Sequence, residues 1–211
     1  MLQLSLSHFG VSYRGVPAII DLSLTLTSAT FAAVSGVLGA GKSSLLRAIA
    51  GSVQHSGDIS VTDGSTLKPA DVIARGLPRS VVVPGMSLEQ YLQLGILERS
   101  WVLPPDADTR IRSALHRCSL QNRLHDQVCM LSHAERRLAD TALLLVQSPR
   151  IILMDEPSYT TTEPCERAVM GVLADWVKET RGIALFATAD SANQPEFNRI
   201  LPLAYGRLQA A

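Results

Sequence analysis

The most informative part of this sequence is the nonapeptide Gly36-Val37-Leu38-Gly39-Ala40-Gly41-Lys42-Ser43-Ser44. It fits the pattern G-x-x-x-x-G-K-[ST] of phosphate-binding loops (P-loops), and it lies between a strand-like run at residues 31–34 and a helix-like run at residues 45–50. In this order of strand, glycine-rich turn and helix, backbone N–H groups and the positive helix N-terminus face the same anion. The motif therefore predicts a nucleotide site.

The residues of this loop have different expected roles. Lys42 is expected to place a positive charge on the β- and γ-phosphates, and the Ser43 hydroxyl is expected to bind Mg²⁺. The other candidates shape the turn or offer N–H groups to phosphate oxygens; they are Gly36, Gly39, Ala40, Gly41 and Ser44. A glycine-rich turn that binds nothing is the alternative interpretation.

The composition of the chain limits the remaining classes of function. Its 211 residues suffice for one domain with a sizeable core, and 19 basic side chains balance 19 acidic ones. This balance gives no global field that would recruit nucleic acid, so we expect no nucleic-acid partner. The longest apolar run, residues 142–146, is far below the roughly 20 residues that a membrane-spanning helix needs. We expect a soluble cytosolic protein without a signal peptide. Its three cysteines are expected to be buried free thiols.

The hydrophobic pattern divides the chain into three parts. Alternating leucines at residues 2–6 and 22–26 predict strands near the N-terminus. From about Pro84 to Pro149 the pattern is helical, with capping boxes that begin at Ser87 and Ser132 and a further expected cap at Asp108.

Alternation of strands and helices resumes after this helical part. Continuous apolar runs at residues 151–154 and 183–187 predict strands buried on both faces, as does the shorter run at residues 81–83. The outline is a parallel-sheet α/β core interrupted by a helical insertion.

Two carboxylates, Asp155 and Glu156, directly follow the apolar strand at residues 151–154. The carboxyl end of a parallel sheet is where ligands bind. Asp155 is a candidate ligand of Mg²⁺, and Glu156 is a candidate general base that polarises the attacking water. A solvated pair of acidic residues at a strand end is the alternative.

Together these motifs resemble the ATP-binding cassette (ABC) transporter ATPases, in the family order and over nearly the whole chain. Residues 151–157 resemble the extended Walker B motif with its catalytic glutamate, and residues 57–64 resemble the family's G-x-I…G strand and turn. Leu131-Ser132 lie where the family places its signature L-S-G-G-Q. Tyr13 occupies the place of the aromatic residue that stacks on adenine, with an ordinary strand-surface aromatic as the alternative.

The resemblance implies one nucleotide-binding domain over residues 1–211. Its α/β RecA-like P-loop core and antiparallel β lobe would take up about 1–84 and 150–211, and its inserted helical lobe about 85–149. The implied cofactors are ATP and Mg²⁺.

The same resemblance implies partners. Two ABC ATPases, as a homodimer or a heterodimer, would sandwich ATP head to tail between one P-loop and the other signature. Integral-membrane subunits on separate chains would complete a transporter, and this chain would be peripheral on the cytoplasmic face of the membrane.

Ser132 has a physical role that does not depend on the resemblance. It is expected at a helix N-terminus, which favours a γ-phosphate without added charge. The alternative is that Ser132 only caps the helix.

The chain departs from the family pattern at four motifs on the γ-phosphate side. The replacements are His133, Ala134 and Glu135 for the signature G-G-Q, Gly85 for the glutamine of V-P-Q, Ala189 for the switch histidine, and Thr162 for the dimer-contact aspartate. Loss of one donor to the γ-phosphate typically costs roughly 3 kcal/mol, about a hundredfold in rate. We therefore expect slow ATP turnover from a homodimer.

These features favour the ATPase subunit of an ABC transporter and leave two other functions open. A non-transport switch, in which ATP-driven dimerisation regulates another complex, is favoured by the four departures. A P-loop kinase is disfavoured, because it needs neither Leu131-Ser132 nor the acidic strand end at residues 154–157.

Overall fold

The computed structural model describes residues 1–76, 84–98, 101–155, 163–189 and 197–209. In these ranges the strands are β1 (Leu2–Tyr13), β2 (Val16–Thr27), β3 (Thr30–Ser35), β4 (Ser56–Asp63), β5 (Thr66–Leu67), β6 (Ile73–Arg75), β7 (Ile151–Asp155), β8 (Ile183–Thr188), β9 (Arg199–Ala204) and β10 (Arg207–Leu208). The α-helices are α1 (Lys42–Ile49), α2 (Pro69–Val72), α3 (Leu88–Leu97), α4 (Ala107–Arg117), α5 (His133–Leu145) and α6 (Glu163–Thr180).

The strands form two sheets. A six-stranded sheet has the order β10-β9-β3-β8-β7-β6, and all its neighbouring strands are parallel except the edge pair β10–β9. A four-stranded antiparallel sheet has the order β2-β1-β4-β5. The predicted parallel-sheet α/β core and the N-terminal antiparallel lobe are confirmed.

Helix α1 lies between the two sheets, and the remaining long helices cover the other face of the parallel sheet. In β7, Ile151 and Leu153 belong to the core cluster that contains α1 and the antiparallel sheet. Ile152 and Met154 belong to the second cluster, which contains α3, α4, α5 and α6. The strand is therefore buried on both faces, which explains its continuous apolar run.

The capping signals of the helical part are largely confirmed. Ser87 begins α3 with a capping box, in which the Ser87 hydroxyl accepts from the Gln90 amide at 3.2 Å and the Gln90 side chain accepts from the Ser87 amide at 3.0 Å. The predicted cap at Asp108 is wrong, because α4 begins at Ala107 and the N-cap position is Asp106. Asp108 lies in the first turn, where its negative charge interacts favourably with the helix dipole and stabilises the helix.

Other details differ from the sequence-based expectation. The edge strand next to β7 is β6, which the sequence does not predict, and the run at residues 81–83 lies outside the described residues. Cys118 and Cys165 are buried as expected, but Cys129 is exposed. Within the described ranges, every helix is too short or too polar to span a bilayer.

Candidate nucleotide-binding site

The P-loop connects β3 to α1 at the carboxyl edge of the parallel sheet. Gly41 is the N-cap of α1 and has a left-handed backbone with a φ of 104°. A Cβ atom on Gly41 would collide with the carbonyl oxygen of Ala18, and one on Gly36 would collide with that of Leu203. The loop therefore needs glycine at both positions, because backbone from other elements approaches it closely.

The side chain of Lys42 is held along this loop. Its Nζ donates to the carbonyl oxygens of Gly36 at 2.7 Å and Val37 at 3.1 Å, and only 4% of the residue is exposed. An ammonium group has three donors, so it can engage these carbonyls and still offer charge to an anion at the loop. This position fits the predicted contact with phosphate.

Ser43 and Asp155 meet beside the loop. The Ser43 hydroxyl, in the first turn of α1, donates to Asp155 Oδ1 at the end of β7 over 2.8 Å. Hard oxygen atoms from one or two side chains, completed by water and nucleotide phosphates, suit Mg²⁺. Within the described residues no group of three His, Cys, Asp or Glu side chains could hold a metal. The two oxygens thus fit a Mg²⁺ shared with a nucleotide rather than a metal caged by protein.

The P-loop is also supported from outside by a turn that the sequence did not link to it. The Gly206 amide, between β9 and β10, donates to the Ala40 carbonyl at 3.2 Å. The Gly206 carbonyl in turn accepts from the Ile20 amide at 2.8 Å. In the sequence, this contact is marked only by the Tyr-Gly pair, which indicates a turn between two short strands. A turn signal does not reveal that Gly206 bonds to Ala40, 166 residues earlier in the chain.

Tyr13 and Ser132 belong to elements other than the P-loop and α1. Tyr13 ends β1, pairs with Val16 across the hairpin, and has 42% of its surface exposed. Ser132 is the exposed N-cap of α5 in the helical lobe. In the described part of the chain neither side chain is hydrogen-bonded to the P-loop, so their roles in binding nucleotide stay predictions.

The capping box of α5 confirms the predicted helix start. The Ser132 hydroxyl accepts from the Glu135 amide at 3.2 Å, and Glu135 Oε2 accepts from the Ser132 amide at 2.8 Å. The hydrogen bond from the Ser132 backbone amide is the main reason why the pKa of the Glu135 carboxyl is lowered. His133 and Ala134 are exposed at this terminus.

The remaining predicted positions are only partly described. Gly39 is exposed and Ser44 is half-buried. Ala189 directly follows β8, the neighbour of β7, at the same sheet edge as Asp155. Gly85 lies in a turn with a φ of 79° before α3. Glu156 and Thr162 lie outside the described residues.

Comparison with known proteins identifies the family. The family model described as ABC transporter matches residues 19–159, more than half of the chain. The chain therefore belongs to the ABC transporter family.

Two relatives and one solved structure illustrate the similarity. The manganese transport system ATP-binding protein MntB of Bacillus subtilis is 30% identical over 83% of this chain and 72% of its own length. The lipoprotein-releasing system ATP-binding protein LolD of Pseudomonas syringae pv. tomato is 26% identical over 99% of this chain and 97% of its own. The structure of cbiO1 from Clostridium perfringens superposes with a TM-score of 0.83 at 20% identity, covering 98% of this chain and 86% of that one.

These similarities confirm two predictions. The fold is that of the ABC ATPase P-loop domain, and the chain is a transporter ATPase subunit of a family that hydrolyses ATP. The individual residues that carry out binding and hydrolysis stay predictions.

Proposed function

We propose that this subunit binds Mg-ATP at the P-loop and hydrolyses it to drive membrane subunits carried on separate chains. The observation that carries the proposal is the 2.8 Å contact between Ser43 and Asp155. It joins the end of the P-loop to the acidic end of β7, so both candidate Mg²⁺ ligands are adjacent at the loop that also holds the Lys42 side chain.

Each group has a distinct chemical role in the proposal. Lys42 and the loop amides neutralise the phosphates, and Ser43 and Asp155 would hold Mg²⁺, which would supply further positive charge to the phosphoryl group. Glu156 polarises the attacking water, while Tyr13 stacks on the adenine and Ser132 of a second ATPase subunit contacts the γ-phosphate. Because Ala189 has no hydrogen-bond donor in its side chain, we expect slow turnover without a partner subunit.

The proposed location follows from the partners. The protein cbiO1 of Clostridium perfringens is part of an ABC transporter complex, cbiONQ. By analogy, this chain would attach to integral-membrane subunits at the cytoplasmic face and pair with a second ABC ATPase, identical or different.

The first experiment measures binding of Mg-ATP and release of phosphate by the purified chain. Lys42→Ala should weaken nucleotide binding, and Glu156→Gln should retain binding but lose turnover. Arg47→Ala is the matched control, because Arg47 is exposed on the same helix as Lys42. Failure of the unmodified chain to bind Mg-ATP would overturn the proposal.

A regulatory ATP switch is the second candidate, favoured by the exposed His133 and Ala134 at the start of α5. Their side chains stand where glycine would allow a phosphate to approach the backbone closely. Co-purification with an integral-membrane protein distinguishes the two functions: the transporter subunit requires it, and the switch does not.

A further inference from the structure

A charged side chain lies at the same sheet edge as Asp155. Arg75 is the last residue of β6, and β6 is the parallel neighbour of β7. In this pairing Arg75 lies opposite Leu153, and the Gly76 amide donates to the Leu153 carbonyl at 2.8 Å. Asp155 is two residues beyond Leu153, so Arg75 ends one strand next to the carboxyl end of the other.

Arg75 and Asp155 are on the face of the sheet that packs against α1. Paired residues on neighbouring strands share a face, and residues two apart on one strand share it too. Leu153 belongs to the core cluster that contains α1, and Asp155 bonds to Ser43 on that helix. The pairing with Leu153 therefore places Arg75 on the α1 face as well.

The next residue along the chain supports this assignment. Gly76 is on the opposite face, because a Cβ atom built there would lie 3.3 Å from the Met154 side chain, which belongs to the other core cluster. Strands lie about 4.8 Å apart and rise about 3.3 Å per residue, so the Cα atoms of Arg75 and Asp155 are roughly 8 Å apart. An arginine side chain is long enough to cover that distance.

The guanidinium of Arg75 has an unused donor. The residue is half-buried, and its Nε is shielded from solvent without a hydrogen-bond acceptor in the described part of the chain. A buried donor without an acceptor is costly, so a ligand that brings an acceptor to this place gains binding energy. Arg136 Nε has the same property but belongs to α5 in the helical lobe, not to this sheet edge.

We propose that Arg75 donates hydrogen bonds to the γ-phosphate of the nucleotide bound at the P-loop. This inference rests on the proposed function, since it requires ATP at that loop. A guanidinium presents a planar fork of donors that matches phosphate oxygens. It supplies positive charge at the carboxyl end of the sheet, where Ala189, after β8 on the other side of β7, provides no side-chain donor.

The test compares nucleotides that differ at the γ-phosphate. Dissociation constants for Mg-ATPγS and Mg-ADP are measured on the full chain for Arg75→Met, Arg75→Lys and the unmodified protein. Arg75→Met should weaken binding of Mg-ATPγS at least about tenfold, because charge-assisted hydrogen bonds are lost, and should change Mg-ADP binding less than about twofold. Arg75→Lys should recover part of the loss, because it keeps the charge.

Controls separate this contact from a change in folding. Arg47→Met removes an exposed arginine of α1 and should change neither constant. Thermal unfolding shows whether each variant is folded, and Arg75→Gln takes the place of Arg75→Met should the latter not fold.

The outcomes distinguish this inference from the function on which it rests. Equal losses for both nucleotides, or no loss for Mg-ATPγS, would overturn the role of Arg75. Failure of the unmodified protein to bind either nucleotide would instead overturn the proposed function.

Discussion

The hydroxyl of Ser43 donates a 2.8 Å hydrogen bond to a carboxylate oxygen of Asp155, 112 positions further along the chain. The bond ties the first turn of α1 to the end of β7. Both oxygens are therefore already adjacent in the protein, so the proposed Mg²⁺ site would require little rearrangement.

Asp155→Asn should weaken the use of Mg²⁺ while leaving the fold intact. The amide oxygen still accepts from Ser43, but it lacks the charge that attracts a hard cation. We expect the Mg²⁺ concentration for half-maximal ATP hydrolysis to rise about 10- to 100-fold. Initial rates at fixed ATP over a Mg²⁺ series measure it, with Asp175→Asn as the control because Asp175 is exposed on α6. An unchanged Mg²⁺ dependence would contradict the assignment of Asp155.

Tyr91→Phe should destabilise the helical lobe. The Tyr91 hydroxyl donates to Asp140 at 2.8 Å, and the Asp140 side chain, which also lies 3.6 Å from Arg137, is only 11% exposed. Burial, together with the neighbouring Asp140 charge, raises the pKa of Tyr91, so the hydroxyl remains a donor at alkaline pH. Without this donor the buried Asp140 carboxylate loses one hydrogen bond, which should lower the free energy of unfolding by about 1–3 kcal/mol.

Urea denaturation of Tyr91→Phe measures this loss. Tyr205→Phe is the control, because Tyr205 is 93% exposed and its substitution should change the free energy of unfolding by less than about 0.5 kcal/mol. Equal stability of the two variants would mean that the Tyr91–Asp140 bond contributes nothing measurable.

The parts of this fold that sequence predicts are those with local signals. The P-loop pattern, the apolar runs of β7 and β8, and the capping boxes at Ser87 and Ser132 each depend on a few consecutive residues. The sequence predicts these features because periodicity and capping chemistry do not depend on the tertiary fold.

The parts that sequence misses depend on long-range pairing. Strand β6 has only three residues, too few to show a period, and its place is decided by hydrogen bonds to β7. For the same reason no spacing in the chain reveals that Arg75 lies beside Asp155, or that Gly206 supports Ala40.

The three cysteines should differ in reactivity. Burial raises the pKa of the Cys118 thiol to about 12 and raises the pKa of Cys165, whereas Cys129 is exposed. Because the thiolate is the reactive form, a disulfide reagent at pH 8 should modify one thiol rapidly in the native protein and all three after unfolding. Cys129→Ser should abolish the rapid phase. Two rapid thiols in the native protein would show that one buried cysteine is accessible.

Glu135→Gln should change how stability depends on pH. Glu135 accepts from the Ser132 amide at 2.8 Å and from Arg123 Nε at 3.0 Å, and these bonds lower the pKa of its carboxyl below the usual 4.5. Since the folded pKa is the lower one, ionised Glu135 stabilises the fold above the unfolded pKa, and this contribution is lost as the pH falls through the folded pKa.

At pH 7 the free energy of unfolding of the unmodified protein should be about 0.5–1 kcal/mol larger than that of Glu135→Gln. The difference is modest because the carboxyl is partly exposed to solvent. The difference should shrink steadily between pH 5 and pH 3, since glutamine does not titrate. Denaturant unfolding at several pH values measures it, with Asp58→Asn as the control because Asp58 is exposed on β4. A difference that stays constant down to pH 3 would show that the charge of Glu135 does not stabilise the start of α5.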